Sequence, residues 1–104
     1  MRAARIVDGK PVISEKLFQS QIRKAAIING WRYYHTWNSM HSAQGFPDVC
    51  MVRDNRLIFA ELKSAKGKVT PEQEQWLESL LVVPGVEVYM LRPQDFDWFY
   101  ERLK

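Results

Sequence analysis

The sequence predicts one α/β domain with a mixed central sheet flanked by helices. Three observations carry that expectation. Two apolar runs, 48–53 and 57–63, flank a polar Asp54-Asn55 step and read as a β-hairpin. A helix-start signal at Thr70-Pro71-Glu72-Gln73 and an apolar strand at 86–91 follow the hairpin. A strand, a helix and a strand in that order form a crossover, so the strands on either side of the helix run parallel while the hairpin is antiparallel.

The elements follow in order. Residues 1–13 read as a loose N-terminal arm or a short edge strand, with Asp8-Gly9 as a turn. Ser14 can cap a helix that runs to about Asn29, where Gly30 stops it. Trp31 to Trp37, rich in aromatic and β-branched residues, reads as a strand. A polar loop spans 38–47, and the hairpin comes next. In the second helix Thr70 caps, Pro71 suits the first helical position and Gln73 closes a capping box; the helix ends near Val82, before Pro84-Gly85. Pro93 opens a last helix through Phe96, Phe99 and Leu103. The order is α-β-β-β-α-β-α. Trp76 and Trp98 lie at helical spacing among apolar residues and are expected in the core; Trp31 and Trp37 are open between the core and stacking on bases.

Composition bounds the function. The chain has 104 residues with 46% apolar, which suits a single domain over 1–104. No apolar run is long enough to span a membrane, and the first ten residues lack the apolar stretch of a signal peptide. The single cysteine, Cys50, lies in an apolar strand and reads as a small core residue. A cytoplasmic setting is expected. The net charge of +3 is compatible with a polyanionic partner. Its distribution says more, since Lys63, Lys66 and Lys68 cluster in the segment 63–68 together with Ser64.

The hairpin carries the chemistry. With a two-residue loop, Arg53 pairs with Arg56, and counting outward sets Asp48 opposite Glu61. Directly opposed residues share a face with Cβ atoms roughly 4.5–5.5 Å apart. Lys63, two residues beyond Glu61, shares it too. Like charges placed this way destabilise a sheet unless something offsets them. A hard divalent cation does so, and Mg²⁺ is commonly held by one or two carboxylates plus phosphate and water. Such an ion activates water and stabilises a phosphoryl transition state. The plainer reading is a solvated ion pair, and the register of Asp48 against Glu61 speaks against it. Lys66 and Lys68 beside the carboxylates then suit phosphate binding better than a merely solvated loop.

Glu15 lies on the same helical stripe as Phe18 and Ile22, unusual for a carboxylate. If that helix packs on the Asp48 and Glu61 face, Glu15 becomes a third acid of the site; otherwise it is a first-turn glutamate favoured by the helix dipole. His41, in the polar loop, is a candidate phosphate contact. His35, in an aromatic strand, reads as structural.

Together these residues resemble the PD-(D/E)XK nuclease superfamily, and more narrowly a standalone virus-type replication-repair nuclease (VRR-NUC) domain. Pro47-Asp48 matches the first half of the signature and Glu61-Leu62-Lys63 the second. Glu15 matches the acid of the family's first helix, and Gln73 the glutamine after the signature. The resemblance covers about 14–93, with Gly30-Trp31, His35 and 85–89 also similar. It implies a restriction-endonuclease-like core and an endonuclease using Mg²⁺ or Mn²⁺, without a small-molecule cofactor. Its catalytic residues would be Asp48, Glu61, Lys63, Glu15 and Gln73, with Asp48 and Glu61 holding the metal. It also implies DNA as partner, contacted by Ser64, Lys66, Lys68 and His41. The family is linked to repair, replication and phage biology, in bacterial or phage-infected cells. Some standalone members resemble Holliday-junction resolvases that act as homodimers. Related loops before the Pro-Asp often carry arginine; here the loop reads Asn38-Ser39-Met40-His41-Ser42-Ala43-Gln44, so that expectation does not carry over. The competing expectation is a non-catalytic nucleic-acid binding module on a nuclease fold.

Overall fold

Local signals at the ends of the helices decide where they start and stop. A computed structural model describes residues 5–7, 10–37 and 43–104, with side chains over 13–37 and 43–104. Strands β1 (Arg5–Val7) and β2 (Lys10–Val12) pair antiparallel as a two-stranded ribbon within the segment expected as an arm. Helix α1 (Glu15–Ile28) starts at Ser14, whose hydroxyl accepts from the Leu17 N–H at 3.1 Å, and ends with Gly30 at φ 82°.

Strands β3 (Arg32–His35), β4 (Val49–Arg53), β5 (Arg56–Leu62) and β6 (Val86–Leu91) form a sheet in that spatial order. The hairpin has the expected two-residue loop: Arg53 pairs with Arg56 and Val49 with Ala60. Asp54 takes a positive φ of 54°, which Asp tolerates better than most residues. Strand β6 pairs parallel to β5, from Leu57 with Val86 to Leu62 with Leu91. Helix α2 (Pro71–Leu81) connects the two strands and carries the full capping box, with Thr70 and Gln73 bonding each other's backbone N–H at 3.2 and 2.9 Å. After a 3₁₀ turn at Pro93–Asp95, α3 (Phe96–Leu103) ends the chain. After the β1–β2 ribbon, the α-β-β-β-α-β-α order and the mixed sheet are the expected ones. Among the described residues no helix is long and apolar enough to cross a membrane.

The two faces of the sheet differ. Val49, Met51, Ile58, Ala60, Leu62 and Leu91 are buried against Phe18 and Ile22 of α1 and Phe99 and Leu103 of α3. On the opposite face Phe59 meets Phe46, which in turn meets Trp76 of α2 at 5.0 Å between rings. The expectation of a core position fails for two tryptophans. Trp98 sits one residue off the Phe99–Leu103 stripe, which turns it about 100° away, and it is 49% exposed beneath the Arg102 guanidinium at 3.8 Å. Trp76 belongs to a helix without a buried residue and stays half-buried, edge-on to Phe46. Trp31 is the buried one: its Nε1–H donates to the Leu103 carbonyl at 2.9 Å, and the guanidiniums of Arg53 and Arg56 lie near its ring. Trp37 is exposed.

Candidate active site

The candidate site lies at the end of the hairpin away from its turn. The register runs from Arg53 with Arg56 out to Val49 with Ala60, so Asp48 and Glu61 face each other one step further on. Asp48 Oδ2 accepts the Leu62 N–H at 2.8 Å, which ties its carboxylate to β5. Strand β3 secures it from the other side. The Asp48 carbonyl accepts the Thr36 N–H at 2.7 Å and the His35 Nδ1–H at 3.1 Å. The Thr36 hydroxyl donates to the Pro47 carbonyl at 2.8 Å, and Pro47 is fully buried. His35 therefore holds the backbone of the site, in keeping with its structural reading. Thr36 was not legible as an anchor, since its partners lie 11 and more residues away.

Gly45 brings the Pro-Asp loop against α2. It has φ 85°, and a Cβ there would come within 2.5–2.7 Å of the Glu72–Gln73 backbone. Only a glycine permits both the conformation and the approach. Gln73 thus sits in the first turn of the helix on which that loop rests. Its Oε1 is committed to the Thr70 N–H, leaving its amide NH₂ as the group it can offer.

Glu61 is 1% exposed, and its Oε1 has no hydrogen-bond partner. Its Oε2 lies 3.7 Å from Lys63 Nζ. Burial, joined by the negative charge of Asp48 and opposed by Lys63, pushes the Glu61 carboxyl up to about 8. An isolated buried carboxylate is costly, and Glu61 avoids that cost by keeping its proton to higher pH. The orphaned oxygen, a second carboxylate across the strand pair and an all-oxygen donor set fit a hard divalent cation. Among the described residues no group of three or more His, Cys, Asp or Glu side chains is placed to hold a metal ion.

Glu15 lies near enough to the site to exchange charge effects with Asp48, Lys63 and Glu61, whose carboxyl its charge helps to raise. It is exposed in the first turn of α1; burial raises its own carboxyl, the charge of Asp48 adds to that, and Lys63 opposes them. Cys50 is half-buried and its thiol is raised by burial, which suits a structural role.

After Lys63 the chain turns through Ser64–Gly67. Lys66 and Lys68 are exposed on either side of the partly buried Gly67. The carbonyls of Ser64 and Gly67 both accept from Arg92 Nη1, at 2.8 and 2.7 Å. His41 and the 38–42 part of the polar loop lie outside the described residues.

A family model described as the VRR-NUC domain matches residues 8–95 of the 104-residue chain. No curated protein and no solved structure matches it.

Proposed function

The chain belongs to the VRR-NUC family, which is a nuclease domain, and from that premise we propose that it is a metal-dependent endonuclease hydrolysing DNA phosphodiester bonds. One observation supports this most: a fully buried Glu61 with an unpartnered Oε1 stands across from Asp48 and 3.7 Å from Lys63. Asp48 and Glu61 would hold Mg²⁺ or Mn²⁺. Asp48 offers Oδ1, since Oδ2 serves the Leu62 N–H, and Glu61 offers its orphaned oxygen. The bound ion supplies Lewis acidity to a phosphoryl oxygen and lowers the pKa of water. Lys63 donates to a non-bridging phosphate oxygen or to the attacking water. Glu15, which keeps its proton to higher pH than an ordinary glutamate, is suited to proton exchange at the rim of the site. The amide of Gln73 donates to substrate. Lys66, Lys68 and Ser64 contact the DNA backbone, with His41 beside them.

The substrate is branched DNA such as a Holliday junction, and the working form is a homodimer in the cytoplasm of a bacterial or phage-infected cell. A domain this small has little surface for gripping a junction alone, and a twofold pair sets two sites on one substrate.

Supercoiled plasmid and four-way junctions are to be incubated with the protein, first with Mg²⁺ and then with EDTA. Nicking and junction cleavage that need the metal and disappear in Asp48→Asn are expected. Cleavage that survives EDTA, or full activity in Asp48→Asn at saturating Mg²⁺, overturns the assignment. DNA binding without cleavage under any metal would instead identify a non-catalytic binding module.

A further inference from the structure

We propose that Arg92 is a positioning residue of the site, holding the turn that presents Lys66 and Lys68 to the DNA backbone. Its DNA-binding part rests on the nuclease reading above.

Arg92 follows directly on β6, whose last residue Leu91 pairs with Leu62. It therefore stands beside the point where β5 gives way to Lys63. The last backbone link between the two strands is the Lys63 N–H donating to the Leu91 carbonyl at 2.9 Å. Beyond it the chains part, and the turn keeps one internal backbone bond, from the Gly67 N–H to the Ser64 carbonyl at 3.3 Å. That bond alone is a weak tether for a turn with two flanking lysines that repel each other. Arg92 Nη1 supplies what is missing, with charge-assisted bonds to the Ser64 and Gly67 carbonyls at 2.8 and 2.7 Å. The arginine's own backbone is secured by its N–H donating to Asp95 Oδ2 at 2.8 Å. The turn is closed tightly as well, since a Cβ on Gly67 would lie 2.9 Å from Ser64 Oγ.

A surface turn that places no residue in the core gives the fold little reason to hold it with a part-buried guanidinium. DNA binding does give one. Lysines ordered before binding do not lose that freedom when phosphate arrives, so affinity rises without a new contact. Lys63 is anchored separately, through its backbone to Leu91 and its amine to Glu61. Arg92 should therefore govern how well DNA is held and leave the chemical step alone.

The test compares the 104-residue chain with Arg92→Met, which keeps much of the stem and removes the donors, and with Arg92→Lys. Lysyl endopeptidase cleavage after Lys66 and Lys68 in DNA-free protein reads the order of the turn. Steady-state cleavage of a labelled junction reads KM and kcat. Arg92→Met should be nicked several-fold faster in the turn and should raise KM about tenfold, the order of the cost of ordering two lysines on binding, with kcat within about twofold of wild type. Arg92→Lys, able to reach one carbonyl as a point charge, should fall between the two. Unchanged nicking with unchanged KM overturns the proposal, as does a fall in kcat with KM unchanged. If Arg92→Met does not fold, Arg92→Lys decides by the same two readouts. A wild-type chain that cuts no DNA sinks the nuclease reading alone; the protease comparison then still upholds or overturns the hold of Arg92 on the turn.

Discussion

Replacing Glu61 by Gln should make the metal-free protein more stable while ending its activity. Glu61 is 1% exposed and one of its oxygens has no partner. The attraction of Lys63 at 3.7 Å is offset by the carboxylate of Asp48 across the strand pair. What remains uncompensated is the burial of a charge and an unsatisfied oxygen, about 1–3 kcal/mol for the latter alone. Because burial raises the folded carboxyl from 4.5 to about 8, the folded state binds the proton more tightly than the unfolded chain. Wild-type stability is then greatest below about pH 4.5 for this group and declines as pH rises toward about 8. Gln does not titrate, so the difference between Glu61→Gln and wild type should grow across that window. At about 4 °C or more per kcal/mol for a domain of this size, the gain in Tm at pH 8.5 is roughly 4–12 °C. Thermal melts in EDTA at pH 4 and pH 8.5 measure it, taken as the difference between the two proteins so that other titrating groups cancel. Adding Mg²⁺ at pH 8.5 should raise the Tm of wild type more than that of the variant. An offset equal at both pH values, or a variant less stable than wild type at pH 8.5, would refute the account of Glu61 as a strained carboxylate.

Three other changes separate the remaining roles. Lys63→Ala should lower the single-turnover cleavage rate by about 10²–10³ with DNA affinity nearly intact, the cost of removing one preorganised donor; a wild-type rate with weaker binding would make Lys63 only a phosphate clamp. Lys66→Ala with Lys68→Ala should weaken binding to all DNA sequences alike and flatten log K against log salt by up to about 0.9 for each phosphate the protein no longer neutralises, measured by fluorescence anisotropy across a salt series. Gly45→Ala should cost about 1–3 kcal/mol by urea unfolding, since it adds a Cβ at φ 85° against the α2 backbone; a change below the resolution of the melt would show that loop and helix do not press on each other.

Much of this was legible because it is local. The loop length at Asp54-Asn55 set the register, and the register brought Asp48 opposite Glu61. Ser14, Thr70 and Gln73 announced the helix starts through spacings of three residues. The parallel pairing of β5 and β6 followed from the intervening helix. What was not legible depends on partners far apart in the chain. Arg92 meets Ser64 and Gly67 across 28 and 25 residues, and no periodicity marks such a pairing. The face covered by α1 is likewise a tertiary choice, which no local spacing announces. Trp98 misled for a related reason: apolar spacing on a helix defines a stripe, and an indole one position off it ends at the surface.

The stitching of the strand end explains how a repulsive pair persists. Two opposed carboxylates would relax by moving apart, and each direction of escape is closed. Asp48 cannot swing outward while the Leu62 N–H holds Oδ2 and Thr36 and His35 hold its carbonyl. The loop bearing it cannot lift, because Gly45 rests on the backbone of α2 and Pro47 is buried. Glu61 cannot retreat, because β5 is paired on both sides, to β4 and to β6 as far as Leu62. Above about pH 8, where Glu61 gives up its proton, the repulsion is therefore held in the metal-free fold, and a cation that binds there gains the relief of it in addition to its own coordination energy. The same rigidity keeps the donors in place when substrate arrives, so that little reorganisation is left for the chemical step.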